Sequence, residues 1–177
     1  DITMPVAVED KIDYIIHCAS ITTSKIMISR PVDVIRTSLN GTENLLELAK
    51  EKQVRSMVYV SSMEMYGVLN LQDDQMVTEE MTGYLNPLAL RSNYPESKRM
   101  CENMCVAYGT QYEVPVKIAR LAQTFGAGVL PGENRVFAQF ARSAMKGSDI
   151  VLHTEGKSEG NYCYTADAVR ALLTILV

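Results

Sequence analysis

The chain has 177 residues, of which 47% are hydrophobic and 21% charged, a composition that fits one globular domain with a real core. Its formal net charge of -4 leaves no basic footprint for nucleic acid, and the lysines and arginines are scattered along the chain. No apolar run approaches the roughly 20 residues that a membrane-spanning helix needs.

Residues 1–11, with Pro5 and mixed charge, read as irregular. The apolar run from Asp13 to Ala19 predicts a first strand, with small residues, Ala19 and Ser20, at its carboxyl end. His17 lies inside that run and reads as a packed histidine, not as an acid or a ligand. A polar loop is expected over 20–29. Ser29-Arg30-Pro31 then opens a helix, with serine a candidate cap and proline tolerated in the first turn. Val32, Ile35, Leu39, Leu45, Leu46 and Ala49 recur at helical spacing through to Lys52. Gly41 inside this helix costs about 1 kcal/mol against alanine, so a close neighbour is expected there.

Met57 to Val60 predicts a second buried strand, followed by Ser61, Ser62 and then Met63-Glu64-Met65-Tyr66-Gly67. Open α/β sheets place ligands at the carboxyl ends of their strands, where Ser62 falls. The long segment 68–93 is acidic through Asp73, Asp74, Glu79 and Glu80, and turns at Asn86-Pro87. A loop of this length is either a functional lid or solvated surface. A helix is expected over 93–111, packing through Met100, Met104, Ala107 and Tyr108.

Within that helix Tyr94 and Lys98, four apart, share one face. A free phenol has a pKa of about 10, too high for a base near neutral pH. An ammonium held beside it favours the phenolate and brings proton transfer within reach. By itself such a pair is usually a packed ring beside a solvated charge; here it follows a strand that delivers two hydroxyls. Cys18, Cys101, Cys105 and Cys163 follow no disulfide framework and complete no zinc site, and they read as buried thiols in a reducing cytoplasm. Val114 to Ala119 is a further strand, completing a βαβ rhythm and hence a parallel sheet. A helix is expected over 135–146, packing through Val136, Phe137, Phe140, Ala141 and Ala144. A short strand at 150–152 and a last helix after Tyr162–Asp167 follow.

Four segments occur in order: His17-Cys18-Ala19-Ser20, Gly41-Thr42-Glu43-Asn44-Leu45-Leu46, Ser61-Ser62-Met63-Glu64-Met65-Tyr66-Gly67 and Tyr94-Pro95-Glu96-Ser97-Lys98. Together they resemble the extended short-chain dehydrogenase/reductase family, the NAD-dependent nucleotide-sugar epimerases and dehydratases, over nearly the whole chain. The resemblance implies an α/β fold, a Rossmann-like doubly wound parallel sheet. Residues 1–120 would be the remainder of the NAD-binding domain, and 121–177 the start of a substrate-binding region. A dinucleotide half begins with a strand, a glycine turn and a helix whose N-terminus takes the pyrophosphate. No glycine precedes Gly41, so that cofactor half is expected to be missing, about 60 residues at roughly 30 per βαβ unit. Asp1-Ile2 is then the expected pair against the adenine, and the 177 residues alone are expected to hold NAD poorly.

The resemblance also implies roles. Tyr94 exchanges a proton with a sugar hydroxyl, Lys98 lowers its pKa and bonds the cofactor ribose, and Ser62 holds the same hydroxyl. Ala19 and Ser20 lie against the nicotinamide side of NAD. Gln123 stands where the family has an asparagine facing the sugar nucleotide, and Ser38 replaces an asparagine that orders a proton-relay water. Glu64 is either a catalytic base, as in the 4,6-dehydratases, or no more than a strand-end carboxylate. Decarboxylases also carry Ser-Glu there, with a later arginine that would fall at Gly160. Oxidation at C4 of a UDP- or dTDP-linked sugar followed by epimerisation is the first expectation. The alternatives are a dehydratase using Glu64 and a non-catalytic nucleotide-binding member. A cytoplasmic homodimer is expected, without metal, paired through a four-helix bundle of 31–52 and 93–111.

Overall fold

The computed structural model describes residues 1–72, 74–152, 154–156 and 159–177; Asp73 of the acidic segment lies outside them. Two compact units emerge, one of residues 1–120 with 172–177 and one of residues 121–171.

In the first unit β1 (Tyr14–His17), β2 (Ser56–Ser62) and β3 (Val116–Leu121) form a sheet with β2 in the middle. β1 and β2 are parallel, from Tyr14 opposite Ser56 to His17 opposite Tyr59. Parallel neighbours need a long crossover. It is made by α1 (Ser24–Ser29) and α2 (Pro31–Lys52), and α3 (Asn93–Tyr112) follows β2. As the central strand, β2 buries Met57, Val58 and Tyr59 almost completely, and Met57 and Tyr59 pack with Leu46 and Ala49 of α2 and Cys101 and Cys105 of α3.

Several expectations are corrected by packing. The loop expected over 20–29 contains α1, because Met27 is buried with Val34 and Tyr94 and its turn closes on Thr23. Ser29 ends α1, so Arg30 caps α2 and pairs with Asp33. In α2, Val32 and Ile35 are exposed, and the buried face runs through Val34, Ser38, Thr42, Leu46 and Ala49. Small polar residues are part of that face because Thr42 Oγ1 donates to Cys101 Sγ, which donates to the Ser38 carbonyl. Hydropathy does not reveal such a stripe. In α3 the buried face is Tyr94, Lys98, Cys101, Glu102 and Cys105. Met104 and Tyr108 sit at the core's margin, while Met100 and Ala107 are exposed.

Gly41 does have its close neighbour. A Cβ there would collide with Ile2 Cδ1, and Asn44 Nδ2 holds the Ile2 carbonyl at 2.7 Å. Among the thiols only Cys101 and Cys105 are buried. Cys18 is exposed because it follows the last residue of β1, and Cys163 is half-buried.

In the second unit β4 (Gln123–Phe125) pairs in parallel with β5 (Tyr162–Tyr164). The Phe125 ring meets Tyr162 and Phe137, each at 6.1 Å between centroids, and Tyr164 at 5.8 Å. α4 (Val136–Lys146) buries Ala138 and half-buries Phe137 and Phe140, while Val136, Ala141 and Ala144 are exposed. The strand expected at 150–152 does not form; Ile150, Val151 and Leu152 are exposed and pair with no strand among the described residues. Thr165 Oγ1 donates to the Phe125 carbonyl at 2.8 Å where α5 (Thr165–Leu176) begins.

Candidate active site

Because β1 and β2 run the same way, Ala19-Ser20 and Ser61-Ser62 leave the sheet at one edge. α3 starts at that edge. Asn93 Nδ2 donates to the Met27 carbonyl at 2.7 Å, which ties the first turn of α3 to α1 and sets the position of Tyr94. One turn on, Lys98 is 3% exposed, and its Nζ donates to the Val60 carbonyl at 2.8 Å. The ammonium lies 4.8 Å from the Tyr59 ring centroid and 5.7 Å from that of Tyr94. Burial pulls the Lys98 pKa below its ordinary value, with the neighbouring thiols and Glu102 opposing.

Ser62 ends β2, and its Oγ accepts the Glu64 N–H at 3.2 Å, which starts the 3-10 turn Met63–Tyr66. Burial raises the Tyr94 phenol; a hydrogen bond with Ser62 draws it back, Glu64 raises it, and Arg91 lowers it. The expected direct lowering by Lys98 is not among these causes. Its ammonium is directed at the Val60 carbonyl and the faces of two rings. In this form Tyr94 is a neutral phenol with a raised pKa.

Glu64 is held by Arg91, whose Nη2 lies 3.1 Å from Oε1 and 3.0 Å from Oε2. The Arg91 Cζ is 5.8 Å from the Tyr94 ring centroid, and its Nη1 is buried with no hydrogen-bond partner among the described residues. Sequence reading missed Arg91, which stands at the end of what was expected to be loop. Its only signal was a cation three residues before Tyr94.

A second set of charges backs the site. Ser61 Oγ donates to Glu102 Oε1 at 2.6 Å, and Arg120 Nε and Nη2 donate to the same carboxylate at 2.7–3.2 Å. Arg120 Nη1 also holds the Glu79 carbonyl at 2.6 Å. Arg99 holds the carbonyls of Met65 and Gly83, each at 2.7 Å, so the turn carrying Glu64 is clamped to the acidic segment.

The structure thus brings together Ser62, Glu64, Tyr94 and Lys98. Ser20 Oγ, past the end of β1, is buried with no partner among the described residues, and Ala19 is exposed beside it. Gln123 belongs to the second unit, on β4, where its N–H donates to the Asn161 carbonyl at 3.1 Å. Among the described residues no group of three or more His, Cys, Asp or Glu could hold a metal, and no helix is long and apolar enough to cross a membrane.

Residues 2–177 match the model of the NAD dependent epimerase/dehydratase family. The chain is 31% identical over 176 residues to UDP-glucuronic acid decarboxylase 1 of Xenopus tropicalis, covering 99% of this chain and 40% of that protein. It is 32% identical over 179 residues to UDP-glucuronic acid decarboxylase 6 of Arabidopsis thaliana, covering 99% and 50%. The chain therefore spans about half the length of the curated relatives it matches. The fold is similar to that of UDP-glucose 4-epimerase from Thermotoga maritima, solved with UDP-glucose, at a TM-score of 0.79 and 21% identity over 91% of this chain and 50% of that one. It is also similar to that of the Thermus thermophilus UDP-glucose 4-epimerase complex with NAD, at 0.78 and 24% over 93% and 53%.

Proposed function

Since this chain belongs to the NAD dependent epimerase/dehydratase family, we propose that Tyr94, Lys98 and Ser62 oxidise C4 of a nucleotide sugar, and that return of hydrogen to the opposite face gives the C4 epimer. One observation carries this reading. Tyr94 and Lys98, 6% and 3% exposed, share one buried face of α3 beside the hydroxyl that ends β2.

The family's cofactor is NAD, and residues present here fit its ribose. Ser20 Oγ is buried without a partner, and Lys98 has three N–H donors with one hydrogen bond among the described residues. Ribose hydroxyls would satisfy both. When bound, NAD supplies the acceptor, and later the donor, of the hydride. Tyr94 takes the proton of the C4 hydroxyl as that carbon is oxidised and returns it to the same oxygen on reduction. Ser62 donates a hydrogen bond to that oxygen and stabilises charge developing on it. Against burial and Glu64, which raise the phenol, the Arg91 charge favours the phenolate that the forward step needs, as does the Ser62 hydrogen bond until its single O–H turns to the C4 oxygen.

A second reading, loss of a C5 carboxylate once C4 is a ketone, is supported by Glu64 and Arg91 beside Tyr94 and by the similarity to decarboxylases. A dehydratase working through Glu64, and a non-catalytic nucleotide-binding protein, find less support. Met63 stands where the resembled dehydratases carry the acid for elimination beside the glutamate, and a pure binding module needs no buried phenol beside an amine. Pairing of two copies through α2 and α3 belongs to the same proposal.

The test uses the full-length protein with NAD. Tyr94→Phe is expected to cut turnover by about 10²–10⁴-fold with an unchanged fold, since only the proton-carrying oxygen is lost. Near-native turnover would overturn the assignment, and product NMR separates an epimer from a decarboxylated sugar.

A further inference from the structure

Lys98 is buried without a counter-ion. A charge inside a protein is normally paired, because an unpaired ammonium there is costly and tends to shed its proton. Among the described residues Lys98 makes no ion pair, and its one hydrogen bond goes to the Val60 carbonyl. Glu102, one turn further along α3, is taken up by Ser61 and Arg120. What Nζ meets instead is ring face, that of Tyr59 at 4.8 Å and that of Tyr94 at 5.7 Å between nitrogen and centroid. An aromatic face is the negative pole of the ring quadrupole, and it attracts a cation within about 6 Å, most strongly where water is excluded. Tyr59 is the nearer ring and almost wholly buried. It is also held in place. His17, opposite it on β1, packs at 5.4 Å between ring centroids, and Cys101 and Cys105 share its core cluster.

We propose that Tyr59 is a positioning residue, whose ring face takes the place of a carboxylate and keeps Lys98 an ammonium beside Tyr94. This goes beyond the proposed function by naming a residue that acts through Lys98, and it rests on that reading for the work the ammonium does. The other groups around Lys98 do not supply the missing negative charge. Burial holds His17 of β1 at about 4, so it is neutral near neutral pH. Burial raises the thiols of Cys18, just past β1, and of Cys105 on α3, the latter to about 12, so neither is an anion there. Cys101 keeps its proton to donate to the Ser38 carbonyl. Glu102 favours the ammonium from beyond ion-pair reach, with its own oxygens already bonded.

Nuclear magnetic resonance titration of the NAD-loaded, substrate-free full-length protein, labelled with ¹³C at lysine Cε, reads the Lys98 ammonium directly. Lys98→Met identifies its signal. Tyr59→Phe keeps the ring face, and Lys98 is expected to titrate within about 0.3 pH units of the parent. The same variant with one, two and three ring fluorines drains the face of negative charge at almost constant size. Those fluorines should lower the midpoint step by step, by about 1 pH unit in all. Tyr59→Leu, which has no face to offer, should lower it at least as far; should that variant fail to fold, the fluorine series decides alone. A midpoint that ignores the fluorines, or one that falls as far in Tyr59→Phe as in Tyr59→Leu, would overturn the inference. The titration involves no sugar and no turnover, so either result leaves the proposed function standing. Near-native turnover by Tyr94→Phe would overturn that function whatever the titration shows.

Discussion

His17 is 2% exposed, with Nε2 3.1 Å from Thr42 Oγ1 and Nδ1 without a partner among the described residues. Burial, and then the nearby Lys98 charge, pull its pKa from 6.5 to about 4. The folded chain thus resists a proton that the unfolded chain accepts between those values. Stability is full above about pH 6.5 and falls as the pH drops toward 4, by about 3 kcal/mol once both states are protonated. Urea denaturation of the protein and of His17→Gln between pH 4 and 7 checks this. The variant is expected to lose the part of the slope due to His17, and equal slopes would contradict it. The apolar neighbours of His17 made its packing legible in sequence. Which nitrogen finds Thr42 depends on a helix 25 residues away.

At the scale of elements, Glu102 joins three of them. From α3 it accepts from Ser61 of β2 and from Arg120 of β3, with Glu102 8% and Arg120 19% exposed. Removing one partner of a buried pair leaves the other charge uncompensated and costs about 3–5 kcal/mol. Glu102→Ala should therefore destabilise the first unit by about that much, read by chemical denaturation. Ser61→Ala, which leaves the ion pair intact, should cost only about 1 kcal/mol. A loss under about 1 kcal/mol for Glu102→Ala would show that Arg120 finds another partner. Hydropathy predicts α3 as a helix but places this carboxylate on no particular face. Burial of Glu102 follows from Arg120, 18 residues later, arriving on the adjacent strand.

For the molecule as a whole, the exposed apolar residues of α2 and α3 bear on assembly. Val32 and Ile35 of α2 and Met100 and Val106 of α3 are 55%, 38%, 50% and 58% exposed. Large apolar side chains on neighbouring helices suit a helix-to-helix interface, with methionine adaptable within it. Pairing of two copies through these helices is expected to appear as twice the monomer mass in light scattering of the full-length protein at micromolar concentration. A strict monomer would contradict it, as would a dimer left intact by Val106→Glu.

The family and the α/β fold class were legible in the sequence because they rest on local signals. Apolar runs ending in small or hydroxyl residues marked β1 and β2, helical spacing marked α2 and α3, and the four-residue step from Tyr94 to Lys98 already places both on one face. Only the tertiary structure decided which face each helix buries. Ser38, Gly41 and Thr42 enter the core through close approach and hydrogen bonds to Ile2 and Cys101, not through hydropathy. It also decided the partners of the charges. Glu64 meets Arg91 across 27 residues, and Ser61 meets Glu102 across 41. A charge carries no period that names its partner. Its pairing is settled by which strand end and which helix turn the packed core brings together.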